Sequence, residues 1–332
     1  MRCTTLIAAA LTVLLSGQAK AEHIKLGLVK VANSGATYIA LERGYFAAEG
    51  LDAEIIFFDG GAVPISVAVV SGDIDIGETA TSGSLFALAG QGALRIVGGE
   101  TREAKTFHNF ALFASKRGYE AGVKTYADLP GHSLAIPQIG SSAHYRLSLL
   151  ADKFHFDMGA VRLLPVQSIS NVVSSIKGGQ ADATINSATQ MLPLVDAGDA
   201  YLIGWLSDEV RYQSAVTFVS TKTANERGDM IARFYRAFRK GLRDYHDAFT
   251  APDETRRDGP TAPDILAIIS KYTGESIERT RLAIAYAPAN GGLGEADILR
   301  QIDWFKTQGL LKNPVDGNEV IDRRYAIDLP IQ

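Results

Sequence analysis

Six short runs of small polar residues carry the groups in this chain that could hold a ligand. In the first half they are Ala32–Gly35, with Asn33, Ser34 and Gly35; Asp59–Gly61, with Gly61; and Thr79–Ser82, with Thr79, Ala80 and Thr81. In the second half they are Ile139–Ser142, preceded by Gln138 and bringing Gly140, Ser141 and Ser142; Gln167–Ser170; and Asn186–Thr189, opening on Asn186. Each lies where a strand should hand over to a helix. The first N–H groups of a helix have no partner within it. They also carry the positive end of the helix dipole, worth about 0.3–1 kcal/mol to a nearby anion and up to ~2 when partly buried. Asn, Ser, Thr, Gly and Gln add hydrogen bonds without adding charge. The chemistry is therefore binding, and an anionic head group can be held this way without a lysine. Ser34, Ser141 and Thr79 could equally serve as helix N-caps, but capping alone does not explain the same spacing in both halves.

A few charged and aromatic residues stand beside these turns. Glu78 directly precedes Thr79 and could accept a hydrogen bond from an amine or amidine, or could be an ordinary strand-end charge. Arg102, Arg146, Arg211 and Tyr212 are further candidates near the expected cleft or crossovers, and Tyr212 is retained as a ligand-binding candidate. Tyr38 and Tyr145 could edge a cleft or pack against their own sheets. Catalytic patterns are missing. The six histidines show no metal-ligand spacing, and there is no GxSxG, GxxxxGK or GxGxxG after the first strand. Asp73 and Asp75 could pass for a carboxylate pair, but Asp75 recurs as Asp182, which suggests a role in the fold. No enzyme, cofactor or metal is expected.

The elements that must position these turns occur twice, at a constant offset of 107 residues from Tyr38 to Tyr145 and from Asp75 to Asp182. Alternation predicts a first strand at Ile24–Val29. A helix is predicted from near Gly35 through Tyr45-Phe46 to Glu49-Gly50. Ala53–Phe58, Ile74–Gly77 and Leu94–Val97 read as strands, and Val63–Ser71 as a helix with Pro64 in its first turn. The second copy gives strands at 111–115, 133–136, 161–164 and 181–185, with helices at 141–154 and 169–177. Ala215–Ser220 returns the chain, and crossovers are expected near Phe107–Phe110 and Gln213–Phe218. Helices follow at 227–249, 264–272, 276–286 and 295–309. The expected fold is α/β: two lobes around a central cleft, with the C-terminal helices packed on lobe one. The divisions are 1–21 as a signal peptide, 22–108 as the first part of lobe one, 109–216 as lobe two, and 217–332 as the return strand and C-terminal helices.

The signal-peptide reading rests on Arg2, the apolar run Leu6–Leu15 and the small-residue finish at Ala19-Lys20-Ala21. Cys3, the only cysteine, falls inside it, so the mature chain should have no thiol and no disulfide. With a formal net charge of −4 and no basic run, the chain offers no nucleic-acid surface.

Four stretches carry a family resemblance: Ile39-Ala40-Leu41-Glu42-Arg43-Gly44-Tyr45-Phe46-Ala47-Ala48-Glu49-Gly50-Leu51-Asp52, Ser71-Gly72-Asp73-Ile74-Asp75-Ile76-Gly77, Asp128-Leu129-Pro130-Gly131, and Gln301-Ile302-Asp303-Trp304-Phe305-Lys306-Thr307-Gln308-Gly309-Leu310. In this order the chain resembles the nitrate/sulfonate/taurine-type solute-binding proteins of ABC importers, a group that includes binders of thiamine-pyrimidine precursors. The resemblance implies a periplasmic-binding-protein fold of type II. It implies a monomeric periplasmic receptor that closes on a small molecule and delivers it to an inner-membrane ABC permease. The implied ligand loops are Ala32–Gly35, Gly60-Gly61, Thr79–Thr81, Gln138–Ser142 and Asn186–Ala188. Where many relatives carry Glu-Pro, this chain has Asn186-Ser187. The expected ligand is a small organic anion of sulfonate or carboxylate type. The alternatives are a pyrimidine or other heteroaromatic nutrient, read by Glu78 and stacked on Tyr38 or Tyr145, or an exported enzyme on the same fold.

Overall fold

Alternating apolar residues put Ile24, Leu26 and Leu28 wholly inside, and a strand β1 (Glu22–Leu28) forms around them. The structure, a computed structural model, describes residues 20–331; the expected leader lies outside the described residues except for its last two positions. In chain order the further strands are β2 (Leu51–Phe57), β3 (Ile76–Ala80), β4 (Leu94–Gly99), β5 (Arg102–Glu103), β6 (Phe110–Ser115), β7 (Ser133–Ile136), β8 (Arg162–Pro165), β9 (Ala183–Ser187), β10 (Ala200–Trp205), β11 (Tyr212–Gln213) and β12 (Ala215–Ser220).

They make two five-stranded sheets of the same design, β2-β1-β3-β12-β4 and β8-β7-β9-β6-β10. In each, four strands run in one direction and the inserted strand, fourth in the order, runs antiparallel to both its neighbours. The internal repeat read from the sequence is thus a repeat of topology. The helices Gly35–Glu42 and Ser142–Phe154 begin 107 positions apart, as do the helices Ala62–Ser71 and Ile169–Lys177 and the strands β3 and β9. The inserted strands are exchanged: β6 follows the sheet-one strands β1–β4 yet lies in sheet two, and β12 returns to sheet one. The two-stranded ribbon of β5 and β11 lies between them in the chain path.

Asp75 and Asp182 do the same work in the two copies. Each precedes its strand and accepts a backbone N–H from the neighbouring parallel strand, Lys25 N at 2.8 Å and Ser133 N at 2.9 Å. Each also pairs with an arginine, Arg227 and Arg117 respectively. These carboxylates close the open end of a strand pair and belong to the fold.

The C-terminal helices cover lobe one. The long helix Gly228–Phe249 turns Phe234, Tyr235, Phe238 and Tyr245 into the core shared with Ile39, Ile265 and Ile269. It crosses helix Gly35–Glu42 so closely that a Cβ on Gly241 would stand 2.2 Å from the Ala36 carbonyl oxygen, a contact only glycine permits.

Three boundaries differ from expectation. The first helix breaks after Glu42 because Gly44 adopts a left-handed φ of 69°, and a short helix Tyr45–Ala48 restarts beyond it. The helix expected to reach Tyr286 stops at Leu282. The Tyr245 hydroxyl holds the backbone of Ala285, and the Tyr286 carbonyl accepts from Arg102 N at 2.9 Å, which draws that segment out straight. The return strand Ala215–Ser220 is found as expected, as β12, so the second crossover ends before Ala215 and not at Phe218.

Candidate functional site

Because the parallel strands of both sheets end toward each other, their carboxyl-terminal loops line one cavity, the usual place for a ligand in open α/β sheets. The cavity holds about 900 Å³ counted out to its open mouth. Lobe one contributes the loop after β1, the turn after β2, the end of β3 and the residue after β4. Lobe two contributes the loops after β7 and β8, the end of β9 and one face of helix Ser142–Phe154.

Two buried carboxyls stand in the lobe-one wall. Glu78 lies within β3 and Glu100 directly follows β4, and each is 1% exposed. Burial pushes Glu78 up to about 8, against the Thr37 hydroxyl, which donates to its carboxylate at 2.7 and 2.8 Å. Burial also raises Glu100 well above the usual carboxylate range, the Glu78 charge adds to this, and the Ser34 hydroxyl opposes it. With burial holding Glu78 up and both burial and the Glu78 charge holding Glu100 up, the two titrate as a pair, so at neutral pH the pair retains at least one proton. Glu100 Oε1 and Asn33 Oδ1, both of residues lining the cavity, are buried without a hydrogen-bond partner. An acceptor left in that state costs roughly 1–3 kcal/mol, which a donor from a bound molecule would recover.

The lobe-two wall has the opposite polarity. Arg146, on helix Ser142–Phe154, is 3% exposed. Its guanidinium carbon lies 3.2 Å from the centre of the Phe110 ring, a cation–π contact. Nε donates to the Tyr212 hydroxyl at 2.6 Å, but Nη2 is buried and unpartnered. Glu103 lies within electrostatic reach of Arg146, which lowers its pKa, yet burial prevails and pushes it up to about 8. At neutral pH the protonated form of Glu103 therefore predominates, leaving the guanidinium charge uncompensated from that side. Ser141 makes no capping bond and its Oγ is buried and free.

The walls also touch directly. Gly83 N donates to Gly140 O at 2.9 Å and Ala32 N to Thr189 Oγ1 at 3.1 Å. Asp59 accepts from Ile169 N through its carbonyl at 3.2 Å, and from Ser170 N and Oγ through its carboxylate at 3.2 and 2.9 Å. The lobes are therefore closed on each other. The turn Gln167–Ser170 spends its free amides on Asp59 and on Ser168, so it has few to offer a ligand.

Of the residues singled out from the sequence, Asn33, Ser34, Gly61, Glu78, Thr79, Ala80, Gln138, Gly140, Ser141, Ser142 and Asn186 line the cavity. Gly35 is instead packed under Tyr245 and Ile269, Thr81 donates to Gln301, and Tyr212 stands behind Arg146. Asn186 turns its Oδ1 onto Ser187 N at 2.8 Å. Neither tyrosine expected to stack on a ring is free to do so. Tyr38 is fully buried and stacks on Tyr272, and Tyr145 packs against Trp304, Phe305 and Tyr212. Phe110 is the aromatic ring in the lining. Glu100 and Phe110 went unremarked in the sequence. Glu100 had a usable signal, since Gly98-Gly99-Glu100 repeats the glycine-then-carboxyl ending of Gly77-Glu78 at the next strand along the chain.

Among the described residues no cluster of potential metal ligands occurs and no helix is long and apolar enough to cross a membrane.

A family model described as NMT1/THI5 like matches residues 31–255, more than half of the chain. A formylaminopyrimidine-binding protein of Halalkalibacterium halodurans is 24% identical over 291 residues, covering 84% of this chain and 82% of that protein. The alkanesulfonate-binding protein SsuA from Xanthomonas axonopodis pv. citri, bound to MOPS, superposes with a TM-score of 0.71 at 19% identity, over 92% of this chain and 99% of that one. The ligand-binding component of an ABC-type import system from Staphylococcus aureus, with zinc bound, superposes with a TM-score of 0.72 at 12% identity, over 91% and 96%. The fold shared with these structures is that of the periplasmic binding proteins.

Proposed function

The chain belongs to the NMT1/THI5-like family, and from that premise we propose that it is the exported, periplasmic solute-binding subunit of an ABC importer, one that closes on a small nitrogen heterocycle of aminopyrimidine type. One observation carries the choice of ligand: Glu78 and Glu100 stand buried in the cavity wall with an acceptor oxygen unsatisfied. A ring bearing N–H donors would satisfy it, as at other buried acceptors. The similarity to a formylaminopyrimidine-binding protein supports the same class, and the likeness to the import-system component supports delivery to a permease. The leader read at 1–21 supports export. The residues that would hold the ring are Glu78, Glu100 and Asn33 from lobe one, with Phe110 as its apolar contact.

Closure would follow from contacts to both lobes, since a ligand shifts such an equilibrium only by binding one state better than the other. Thermal-shift measurement against 4-amino-2-methylpyrimidine, nitrate and methanesulfonate tests the reading. Stabilisation by the aminopyrimidine supports it. Stabilisation by nitrate or methanesulfonate, with no effect of the aminopyrimidine, overturns it.

Asp59 would act as a latch, because it binds lobe two only when the cleft is shut. Replacing Asp59 with alanine should speed aminopyrimidine release and weaken affinity by about 2–5-fold, the worth of one exposed carboxylate at a helix N-terminus. Stopped-flow dissociation checks this; an unchanged rate would remove Asp59 from the closing mechanism.

A further inference from the structure

Four buried polar groups in the cavity lack a partner, and they sort by wall. Lobe one leaves acceptors open, Glu100 Oε1 and Asn33 Oδ1; lobe two leaves open the cationic donor Arg146 Nη2 and the Ser141 hydroxyl. An N–H-rich ring alone would satisfy the first pair and leave the guanidinium bare. A simple anion would satisfy the second and face the carboxyls. Buried charges and polar groups are normally paired, so the cavity is incomplete on both sides until something supplies both complements.

We propose that the ligand is dipolar: an amino-substituted heteroaromatic ring that also carries a carboxylate or sulfonate, the ring amine held by the lobe-one acceptors and the anionic group by Arg146 Nη2 and Ser141 Oγ. This deepens the aminopyrimidine reading and rests on it. Phe110, against whose face the guanidinium lies, holds the Arg146 plane from behind and keeps Nη2 from swinging toward another partner. The Tyr212 hydroxyl fixes the same side chain at Nε. A preset guanidinium pairs well with a planar carboxylate, whose hydrogen bonds it strengthens by its charge. Because each end of the ligand engages a different lobe, such a molecule would reward closure more than either half could.

The test compares two probes that differ only in the acid: 4-amino-2-methylpyrimidine and its 5-carboxylate, titrated calorimetrically into the wild type, Arg146→Gln and Arg146→Lys. The carboxylate should bind the wild type about 10–100-fold more tightly, the range for a hydrogen bond to a charged group. Arg146→Gln should abolish that difference, and Arg146→Lys should restore part of it. Equal affinities in the wild type would overturn the dipolar proposal and leave the aminopyrimidine reading standing. Equal weakening of both probes by Arg146→Gln would reduce Arg146 to a structural part. Failure of the wild type to bind either probe would overturn the aminopyrimidine reading and this one with it. The wild-type comparison decides the matter even if both variants fold poorly.

Discussion

Glu100→Gln should weaken aminopyrimidine binding by about 5–100-fold, because it replaces a carboxyl oxygen that accepts with an amide whose NH2 can face the ligand's own donors and leave them unsatisfied. The same substitution should make the ligand-free protein less sensitive to alkaline pH. The sign follows from the buried pair. Burial raises Glu78 to about 8 and Glu100 well above its ordinary value, so the folded protein binds more protons than the unfolded chain over the interval above about 4.5. Stability then falls as pH rises through that interval, from full strength below the unfolded value to its minimum above the folded ones. A tenfold change in proton affinity between the two states corresponds to about 1.4 kcal/mol, so a loss of a few kcal/mol in the wild type is expected between about pH 5 and 8. Removing Glu100 removes its own contribution, while burial continues to hold Glu78 up. Thermal denaturation of wild type and Glu100→Gln across that range checks the claim. Parallel melting curves against pH, with unchanged affinity, would dismiss the pair as a recognition element.

A second large effect should come from the duplicated aspartates. Asp182→Ala should cost roughly 3 kcal/mol, since it leaves the buried Ser133 N–H without a partner and breaks bonds to the Ser133 hydroxyl and Arg117. Burial works against the ionised form of Asp182, but the Ser133 hydroxyl, the Ser133 amide and Arg117 outweigh it and lower its pKa. Its share of stability is thus present above the ordinary carboxylate range and lost as pH falls through the lowered value. In lobe one, Asp75→Ala should cost a similar amount of stability, since Lys25 N and Arg227 take the same places. Chemical denaturation measures both. Ligand affinity among molecules that remain folded should barely change, because neither aspartate lines the cavity. A variant that kept its stability but lost binding would contradict this division between frame and site.

The fold was legible where local chemistry repeats. Asp75 and Asp182, the glycine-ended helices and the strands after them recur at one offset, and both sheets follow it. The exchange of β6 and β12 between lobes left no periodic trace, and neither did the two-residue strands β5 and β11, which are too short to alternate. Helix breaks were missed where one residue decides: Gly44 can be read as a tolerated glycine until its φ is known. At the site, the loops could be found because the strand-to-helix turn has a recognisable composition. The direction of side chains could not. Tyr38 and Tyr145 sit at equivalent helix positions and both turn away from the cavity, drawn by Tyr272 and Trp304 from distant parts of the chain. Arg146 stood among several arginines of equal standing in the sequence. What distinguishes it is burial against Phe110 with one nitrogen unspent, a contact between residues distant in the chain. The anion expected from the helix N-termini gives way to a nitrogen heterocycle in our proposal for a similar reason, since Glu78 and Glu100 are far apart in sequence and meet only in the cavity wall.

Most direct is a crystal structure of the protein grown with 4-amino-2-methylpyrimidine-5-carboxylate. One molecule should lie enclosed between the lobes, its amine within hydrogen-bond distance of Glu100 Oε1 and its carboxylate on Arg146 Nη2. A molecule lying with its carboxylate toward Glu78 and Glu100, or a cavity that stays empty at saturating ligand, would contradict dipolar recognition across the closed cleft.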